Sequence, residues 1–303
     1  MTDNGNTSLK ASVIIPNYNG RGLLEKYLPS VVLAFHNTKN SVKELIVVDD
    51  ASLDDSVDFI KRNFPEVRII KHKKNRGFSA SVNTGARSAK GDLVVLLNTD
   101  VVVNENFLVK ALLHFYDQSI FAVSLHEKGY GYAKGYFEGG FIVHKPGKVD
   151  KKVHETFWVS GGSGVFRRDL WMKLGGMDEK LFKFYWEDVD LAYRALKRGY
   201  SLLWEPDAGV IHEHESVTSL RFSKRQLQQM QEINQLLFIW KNLTSANLFR
   251  KHIVGLVKRF TQHPGYIVIV LSALRKIRDV VKARRKEKKE SRISDEAILS
   301  KLA

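Results

Sequence analysis

Two aliphatic runs near the start of the chain end in acids. Leu93-Val94-Val95-Leu96-Leu97 leads into Asn98-Thr99-Asp100, and Leu45-Ile46-Val47-Val48 into Asp49-Asp50. Short runs rich in Val and Leu read as strands covered on both faces. An acid at the tip of such a strand stands at the sheet edge where open α/β folds bind ligands. Asp100 offers a hard oxygen ligand, suited to Mg²⁺ or Mn²⁺ held against a diphosphate. Asp49 and Asp50 can accept hydrogen bonds from a base N–H or a ribose hydroxyl. A solvated turn or a helix start explains the same acids without a ligand.

One aspartate does not fix a metal, so substrate oxygens and a second ligand must help. His212 follows a strand-like segment and is a candidate, with His214 two residues further on as the alternative. A lone histidine is more often structural than a ligand. Trp186-Glu187-Asp188 opens a helix predicted to end at Gly199, and Asp188 is a candidate general base. The helix dipole lowers its pKa, which a base tolerates if the proton leaves late in the reaction. Asp190 and Arg194, four apart, predict a structural pair. Gly161-Gly162-Ser163-Gly164 permits close approach of backbone to a ligand. Asn75-Arg76-Gly77, ahead of a helix, brings Arg76 or backbone amides near a phosphate, or is simply a turn.

These groups need a scaffold. Strand signals over Ser12–Pro16, Leu45–Val48, Val67–Ile70 and Leu93–Leu97 alternate with helix signals. Ser52 is a predicted N-cap, and Pro29 is predicted to break or restart the first helix. Repeated strand–helix units imply an α/β fold with a doubly wound, mostly parallel sheet flanked by helices. Residues 126–155, rich in Gly, Tyr and Phe, read as hairpins and loops beside it. Trp158–Phe166 reads as a glycine-interrupted strand. From Ser223, which forms a capping box with Gln226, the pattern becomes helical. The predicted organisation is a sheet domain over 1–222, a helical region over 223–285, and a basic, flexible tail over 286–303.

The chain has 303 residues, a net charge of +15 and no cysteine. That excludes a disulfide framework, a thiolate metal site and a thiol nucleophile, and it fits a reducing compartment. Met1–Lys10 is polar and lacks the apolar core of a secretory signal. No run approaches the ~20 apolar residues of a spanning helix. Much of the positive charge lies between Arg275 and Arg292, where only Asp279, Glu287 and Glu290 oppose it. Between Leu248 and Val281, Ile253, Leu256, Val257 and Phe260 alternate with Lys251, Lys258 and Arg259. Such a stretch can lie on an anionic membrane surface, or cap the sheet domain with a solvated basic face. No recognition motif for nucleic acid accompanies the charge. Asn17-Tyr18-Asn19-Gly20-Arg21-Gly22 does not supply the G-x-G-x-x-G of a dinucleotide-dependent oxidoreductase.

In order, Val13-Ile14-Ile15-Pro16-Asn17-Tyr18-Asn19-Gly20, Val47-Val48-Asp49-Asp50-Ala51-Ser52, Asn75-Arg76-Gly77-Phe78 with Asn83-Thr84-Gly85, Leu97-Asn98-Thr99-Asp100, Gly175-Gly176-Met177-Asp178-Glu179, Trp186-Glu187-Asp188-Val189-Asp190-Leu191 and His212 form a set. Over about residues 10 to 240, that set resembles family-2 glycosyltransferases of the nucleotide-sugar (GT-A) fold. The resemblance implies that Pro16 and Tyr18 meet the nucleoside, and that Asp50, with Asp49 beside it, contacts the base. It implies that Arg76, Gly77 and Asn98 lie along the nucleotide, and that Asp100 binds the metal with His212 near it. Asp188 becomes the base and Glu187 an acceptor-binding residue, while Gly161, Gly162 and Trp186 lie along the acceptor or sugar.

The first acid of the family's DxD motif is Asn98 here, which removes a charge from the metal site. This variant is similar to the rhamnosyltransferase-like branch, which uses dTDP-linked donors. The activity implied is inverting, metal-dependent transfer from a UDP- or dTDP-sugar, dTDP-rhamnose among them. The acceptor would be a hydroxyl of a glycan or lipid-linked substrate of cell-surface polysaccharide synthesis. The implied location is cytoplasmic, at the inner face of the cell membrane. A catalytically silent nucleotide-sugar-binding or scaffolding protein, recruited to a membrane by its basic tail, is the alternative.

Overall fold

The computed structural model describes residues 9–213 and 222–303. The first half alternates strand and helix: β1 (Ala11–Asn17), α1 (Arg21–His36), β2 (Val42–Asp49), α2 (Ser56–Asn63), β3 (Val67–Lys71), α3 (Phe78–Ser88) and β4 (Leu93–Leu97). Then come β5 (Val101–Val103), α4 (Val109–His114), β6 (Ile120–Glu127), the hairpin β7 (Ala133–Glu138) and β8 (Phe141–Pro146), and the short β9 (His154–Glu155). β10 (Ser163–Arg167), α5 (Arg168–Leu174), α6 (Glu187–Lys197) and β11 (Ser201–His212) complete the sheet region. A helical region follows: α7 (Lys224–Asn242), α8 (Ala246–Gln262), α9 (Ile267–Leu274), α10 (Ile277–Glu290) and α11 (Asp295–Lys301).

The architecture is α/β, with a central sheet in the order β3-β2-β1-β4-β10-β6-β11-β5 and β9 paired to β11. Its first four strands are parallel, as the repeated strand–helix units predict. The second half is mixed. β10 runs antiparallel between β4 and β6, and β5 runs antiparallel on β11. The glycine-interrupted segment contributes only Ser163–Arg167 to the sheet, and its earlier residues form a loop over the tip of β4.

Alternation within the strands builds two cores. Ile14, Ile46, Val94 and Leu96 face one side, and Val13, Ile15, Leu45, Val47, Val95 and Leu97 the other. Successive side chains of a strand point to opposite faces, so a run with no polar position must be covered twice.

Two local expectations change. α1 runs through Pro29 unbroken. Proline inside a helix costs about 3 kcal/mol. Burial of Leu24, Tyr27, Leu28 and Val31 on the sheet outweighs that, at roughly 1.5–3 kcal/mol for a large apolar side chain. Ser52 does not cap α2, which begins four residues later. Its hydroxyl instead accepts the Asn19 N–H at 2.9 Å and the Asn17 amide at 3.2 Å, stitching two loops of the sheet edge.

The helical region packs back on the sheet domain, and one apolar cluster runs from Leu96 to Leu302. The capping box of Ser223 and Gln226 is formed. The tail over 286–303, expected to be flexible, is packed on the rest of the chain. Asp295 is fully buried and accepts hydrogen bonds from Lys197 Nζ (2.9 Å), Tyr193 Oη (2.8 Å) and the Thr244 N–H (2.7 Å). Gly135 N donates to the Leu302 carbonyl at 2.8 Å. Ile298, Leu299 and Leu302 are buried, so a few apolar positions dock a segment whose composition is dominated by charge. Among the described residues, no helix is long and apolar enough to cross a membrane.

Candidate active site

A cleft of about 400 Å³ opens beyond the ends of β1, β2 and β4. Pro16, Tyr18, Asp50, Asn98, Asp100, Gly161, Gly162, Glu187, Asp188 and His212 all line it. The topology brings together residues almost two hundred positions apart because β1, β2 and β4 end at one edge and α6 starts there.

Asp100 is 2% exposed. Its Oδ1 is 3.1 Å from His212 Nε2, while His212 Nδ1 is 3.3 Å from Glu127. Burial disfavours the imidazolium, but the hydrogen bonds and charges of Asp100 and Glu127 outweigh it and raise the His212 pKa to about 9. His212 here is thus a cation between two carboxylates, and it would ligate a metal only by losing that proton. Asp100 Oδ2 is buried and has no hydrogen-bond partner among the described residues. An unpaired buried carboxylate oxygen facing a cleft fits a hard divalent cation. No cluster of three or more His, Cys, Asp or Glu side chains able to hold a metal occurs among the described residues. His214 lies outside the described residues.

Asn98 forms the floor beside Asp100. Its N–H donates to the Gly162 carbonyl at 2.9 Å. A Cβ on Gly162 would sit 2.5 Å from Asn98 Nδ2, so any larger residue there would displace the Asn98 side chain. Gly161 N donates to Asp188 Oδ2 at 3.2 Å.

Asp188 stands at the start of α6, and burial raises its pKa against the lowering effect of the Gly161 and Val189 N–H groups. The sequence expectation, a pKa lowered by the helix dipole, is therefore reversed: loss of water outweighs the helix end. Glu187 is raised well above the usual carboxylate range by burial first, then by the charges of Asp188 and Asp190. Both carboxylates of the pair are thus held above the usual range, and an ionised carboxylate there is a stronger base than usual.

Asp190 forms the structural pair predicted with Arg194, at 2.8 Å. Burial opposes its charge, but Lys241 and Arg194 win and hold its pKa low.

Asp50 faces the cleft with both oxygens engaged. They accept the N–H groups of Arg76 (2.9 and 3.0 Å) and Gly77 (2.7 Å), and Oδ1 lies 2.7 Å from His72 Nδ1. Asp50 therefore folds the Asn75-Arg76-Gly77 turn.

Several expected site residues lie elsewhere. Asp49 is fully buried, binds Asn17 Nδ2 (3.0 Å) and Ser52 N (3.1 Å), and does not line the cleft. The Arg76 guanidinium turns to Glu179 at 2.8 Å, and Gly77 spends its N–H on Asp50. Trp186, expected along the acceptor or sugar, lines a second cavity that shares Tyr185, Glu187 and Asp188 with the cleft.

Sequence reasoning missed Asn75, Ser81 and Tyr185, which line the cleft, His72, which meets Asp50, and Asn234, whose amide donates to the Phe184 and Tyr185 carbonyls. The Asn75-Arg76-Gly77 motif named Asn75 without giving it a role, and Tyr185 adjoins a motif that began one residue later. His72 and Asn234 act through contacts distant in sequence and carry no local signal.

The family model described as "Glycosyl transferase family 2" matches residues 12–175, more than half of the chain. A "Pre-mycofactocin glycosyltransferase" of Mycobacterium tuberculosis is 29% identical over 206 residues, covering 62% of this chain and 43% of the relative. This chain therefore spans less than half of that protein. The "O-antigen chain rhamnosyltransferase RfbN" of Salmonella typhimurium is 22% identical over 232 residues, covering 71% of this chain and 70% of the relative. Among solved structures, GalNAc-T7 with UDP, GalNAc and Mn²⁺ superposes with a TM-score of 0.62 at 18% identity, covering 87% of this chain and 58% of that one. At that identity the likeness establishes the fold, which is GT-A.

Proposed function

Since the chain belongs to glycosyl transferase family 2, we propose that it moves a sugar from a nucleoside-diphosphate donor to an acceptor hydroxyl with inversion at the anomeric carbon. The observation that carries this reading is the pairing, in one cleft, of Asp188, made more basic by burial, with Asp100, whose Oδ2 has no partner among the described residues.

Asp188 takes the proton of the acceptor hydroxyl as its oxygen bonds to the anomeric carbon. The bond from that carbon to the diphosphate oxygen breaks, and its electron pair leaves with the nucleoside diphosphate. One base, with no second positioned nucleophile among the described residues, corresponds to single displacement through an oxocarbenium-like transition state. Glu187, holding its proton, donates to acceptor or sugar oxygens without competing for the transferred proton. Pro16, Tyr18 and Asp50 flank the nucleoside, and Asn98 lies along the nucleotide. Asp100 would hold Mg²⁺ or Mn²⁺, which supplies positive charge to the departing diphosphate when bound. The solved structure of GalNAc-T7 with UDP and Mn²⁺ supports that choice of partners.

The Salmonella relative's name supports a rhamnosyl donor such as dTDP-rhamnose, and a glycan or lipid-linked acceptor in cell-surface polysaccharide synthesis. The place of action would be the cytoplasmic face of the membrane. Val254, Val257, Val268 and Leu271 are exposed on α8 and α9, in a region rich in lysine and arginine, as contact with anionic lipid requires. Co-sedimentation with phosphatidylglycerol vesicles but not phosphatidylcholine vesicles tests that attachment.

Release of nucleoside diphosphate from UDP- and dTDP-sugars with Mn²⁺ or Mg²⁺ tests the chemistry. Asp188→Asn should abolish turnover and retain stabilisation by the donor. Turnover by that variant would overturn the assignment of the base, and stabilisation without turnover in the unaltered protein would favour the silent binding protein.

A further inference from the structure

We infer that a third cavity, between α7 and the loop that enters α6, binds the phosphate of an anionic membrane lipid, with part of an acyl chain on its apolar walls. This rests on the reading of α8 and α9 as the lipid-facing side, which supplies the ligand.

The cavity measures about 390 Å³, within the range of small-molecule sites. Leu181, Phe184, Met230 and Ile233 give it apolar walls, and its charged side chains are Lys183 and Lys276. Among the described residues, no aspartate or glutamate lines it. Apolar walls with two ammonium groups and no acid complement an amphiphile with an anionic head.

The lysines keep donors for such a head. An ammonium carries three N–H groups. Lys276 gives one to the Lys180 carbonyl at 3.2 Å and one to the Leu181 carbonyl at 2.8 Å, which leaves a third. The exposed Lys183 makes no hydrogen bond or ion pair among the described residues. The two ammonium groups also repel each other. Burial first, and then the charge of Lys183, lower the Lys276 pKa against the opposing pull of Asp178 and Asp279. A phosphate between them removes that repulsion and replaces hydration that Lys276 has lost.

Position identifies the source of the phosphate. Lys276 stands between α9 and α10, and Leu271, Leu274 and Ile277 around it in the chain are exposed. Both helices pack on α7, which carries Met230 and Ile233. The cavity thus adjoins the helices whose apolar side chains are offered to lipid, with lysine at the level of the headgroups. It shares Phe184 with the donor cleft, so a lipid held here lies one aromatic side chain from the donor.

The test is titration calorimetry on the full chain with short-chain lipids below their micelle concentrations, so that no membrane surface is present. The probes are dihexanoyl phosphatidic acid, dihexanoyl phosphatidylcholine and inorganic phosphate. Phosphatidic acid should saturate a single site. Phosphatidylcholine, which brings a cation to the lysines, and inorganic phosphate, which has no chain to bury, should each bind at least about tenfold more weakly. Lys183→Ala should weaken phosphatidic acid about tenfold, the worth of one charge-assisted hydrogen bond, and Lys183→Arg should retain it. Equal binding of phosphatidylcholine or inorganic phosphate, no binding of phosphatidic acid, or indifference to Lys183→Ala would overturn the site. Co-sedimentation with vesicles keeps the two readings apart. Vesicle binding without binding of the monomeric lipid overturns the cavity site and leaves the helical attachment. Monomer binding that depends on Lys183, without vesicle binding, overturns the attachment and leaves the site.

Discussion

The side-chain amide of Asn234 donates to the backbone carbonyl of Tyr185 at 3.1 Å, bridging α7 to the loop that enters α6. The same amide reaches the Phe184 carbonyl at 2.7 Å. The loop needs this clamp, because Tyr185 and Trp186 have φ values of 63° and 70°, left-handed geometry that bulky residues rarely adopt. Each such residue costs on the order of 1–3 kcal/mol and persists only where its surroundings enforce it. The bend immediately precedes Glu187 and Asp188, so α7 sets where the proposed base stands.

Asn234→Ala should therefore lower kcat by about 10²-fold, the cost of misplacing a reacting group by roughly 1 Å. Donor KM should change little, since Asn234 does not line the donor cleft. Steady-state kinetics over a range of donor concentrations separates the two effects. An unchanged kcat would remove Asn234 from the positioning of Asp188.

Neighbouring glycines should respond differently to one added methyl group. In Gly162→Ala the new Cβ meets Asn98 Nδ2 at 2.5 Å and Cγ at 2.8 Å, so the Asn98 side chain must leave its place. In Gly161→Ala the neighbours are the Phe78 ring at 3.1 Å and the Met177 methyl at 3.2 Å, which can yield. Overpacking of the first kind costs about 1–3 kcal/mol. Nucleotide affinity, read by calorimetry, should fall for Gly162→Ala by about tenfold or more and change far less for Gly161→Ala.

The proton inventory at the start of α6 sets the pH response. Asp188 acts ionised, and burial has raised its pKa, so kcat should rise with pH through a value above that of an ordinary aspartate and then level off. Glu187 has the opposite consequence for stability. It stays protonated in the fold at pH values where the unfolded chain has lost that proton, so its contribution is lost as pH rises from about 4.5 towards the raised folded value. Glu187→Gln should raise the Tm at pH 7 and flatten its decline with pH. A lower Tm for the variant across that range would contradict a protonated Glu187.

His252 predicts an acid-sensitive joint between the helices and the β7–β8 hairpin. It is fully buried, accepts the Trp240 indole N–H at Nε2 (2.9 Å), and donates from Nδ1 to the Gly140 carbonyl (2.7 Å). Those partners require the neutral ring, and burial lowers its pKa although the Gly140 carbonyl favours the charged form. A depressed folded pKa gives stability that is present above the unfolded value near 6.5 and is lost as pH falls towards the folded one. Trp240 fluorescence should report loosening on acidification through that window, and His252→Gln should remove the dependence.

Some of this was legible in the chain and some was not, for physical reasons. Strands with no polar position announce double burial, so the edge carrying Asp50 and Asp100 could be read directly. The capping box at Ser223 and the Asp190–Arg194 pair are local and follow from spacing. Asp49 and Asp50 look alike in sequence, and only alternation along β2 decides that the first turns inward to Asn17 while the second faces the cleft. The tail was misread because composition counts charges, whereas docking depends on the few positions that share a face. The second half of the sheet escaped because the direction of β10 is decided by pairing with β4 and β6, not by its own residues.

The buried Lys197–Asp295 pair, at 2.9 Å, makes the sheet region and the terminal helix inseparable. Removing one partner of such a pair costs about 3–5 kcal/mol, because the other charge stays desolvated. A chimera that takes its sheet domain from one parent and its last helices from another must inherit cation and anion from the same parent, or replace both with apolar side chains. The two halves of the molecule are thereby a single heritable unit, and recombination between relatives is constrained at a point about a hundred residues from the proposed base.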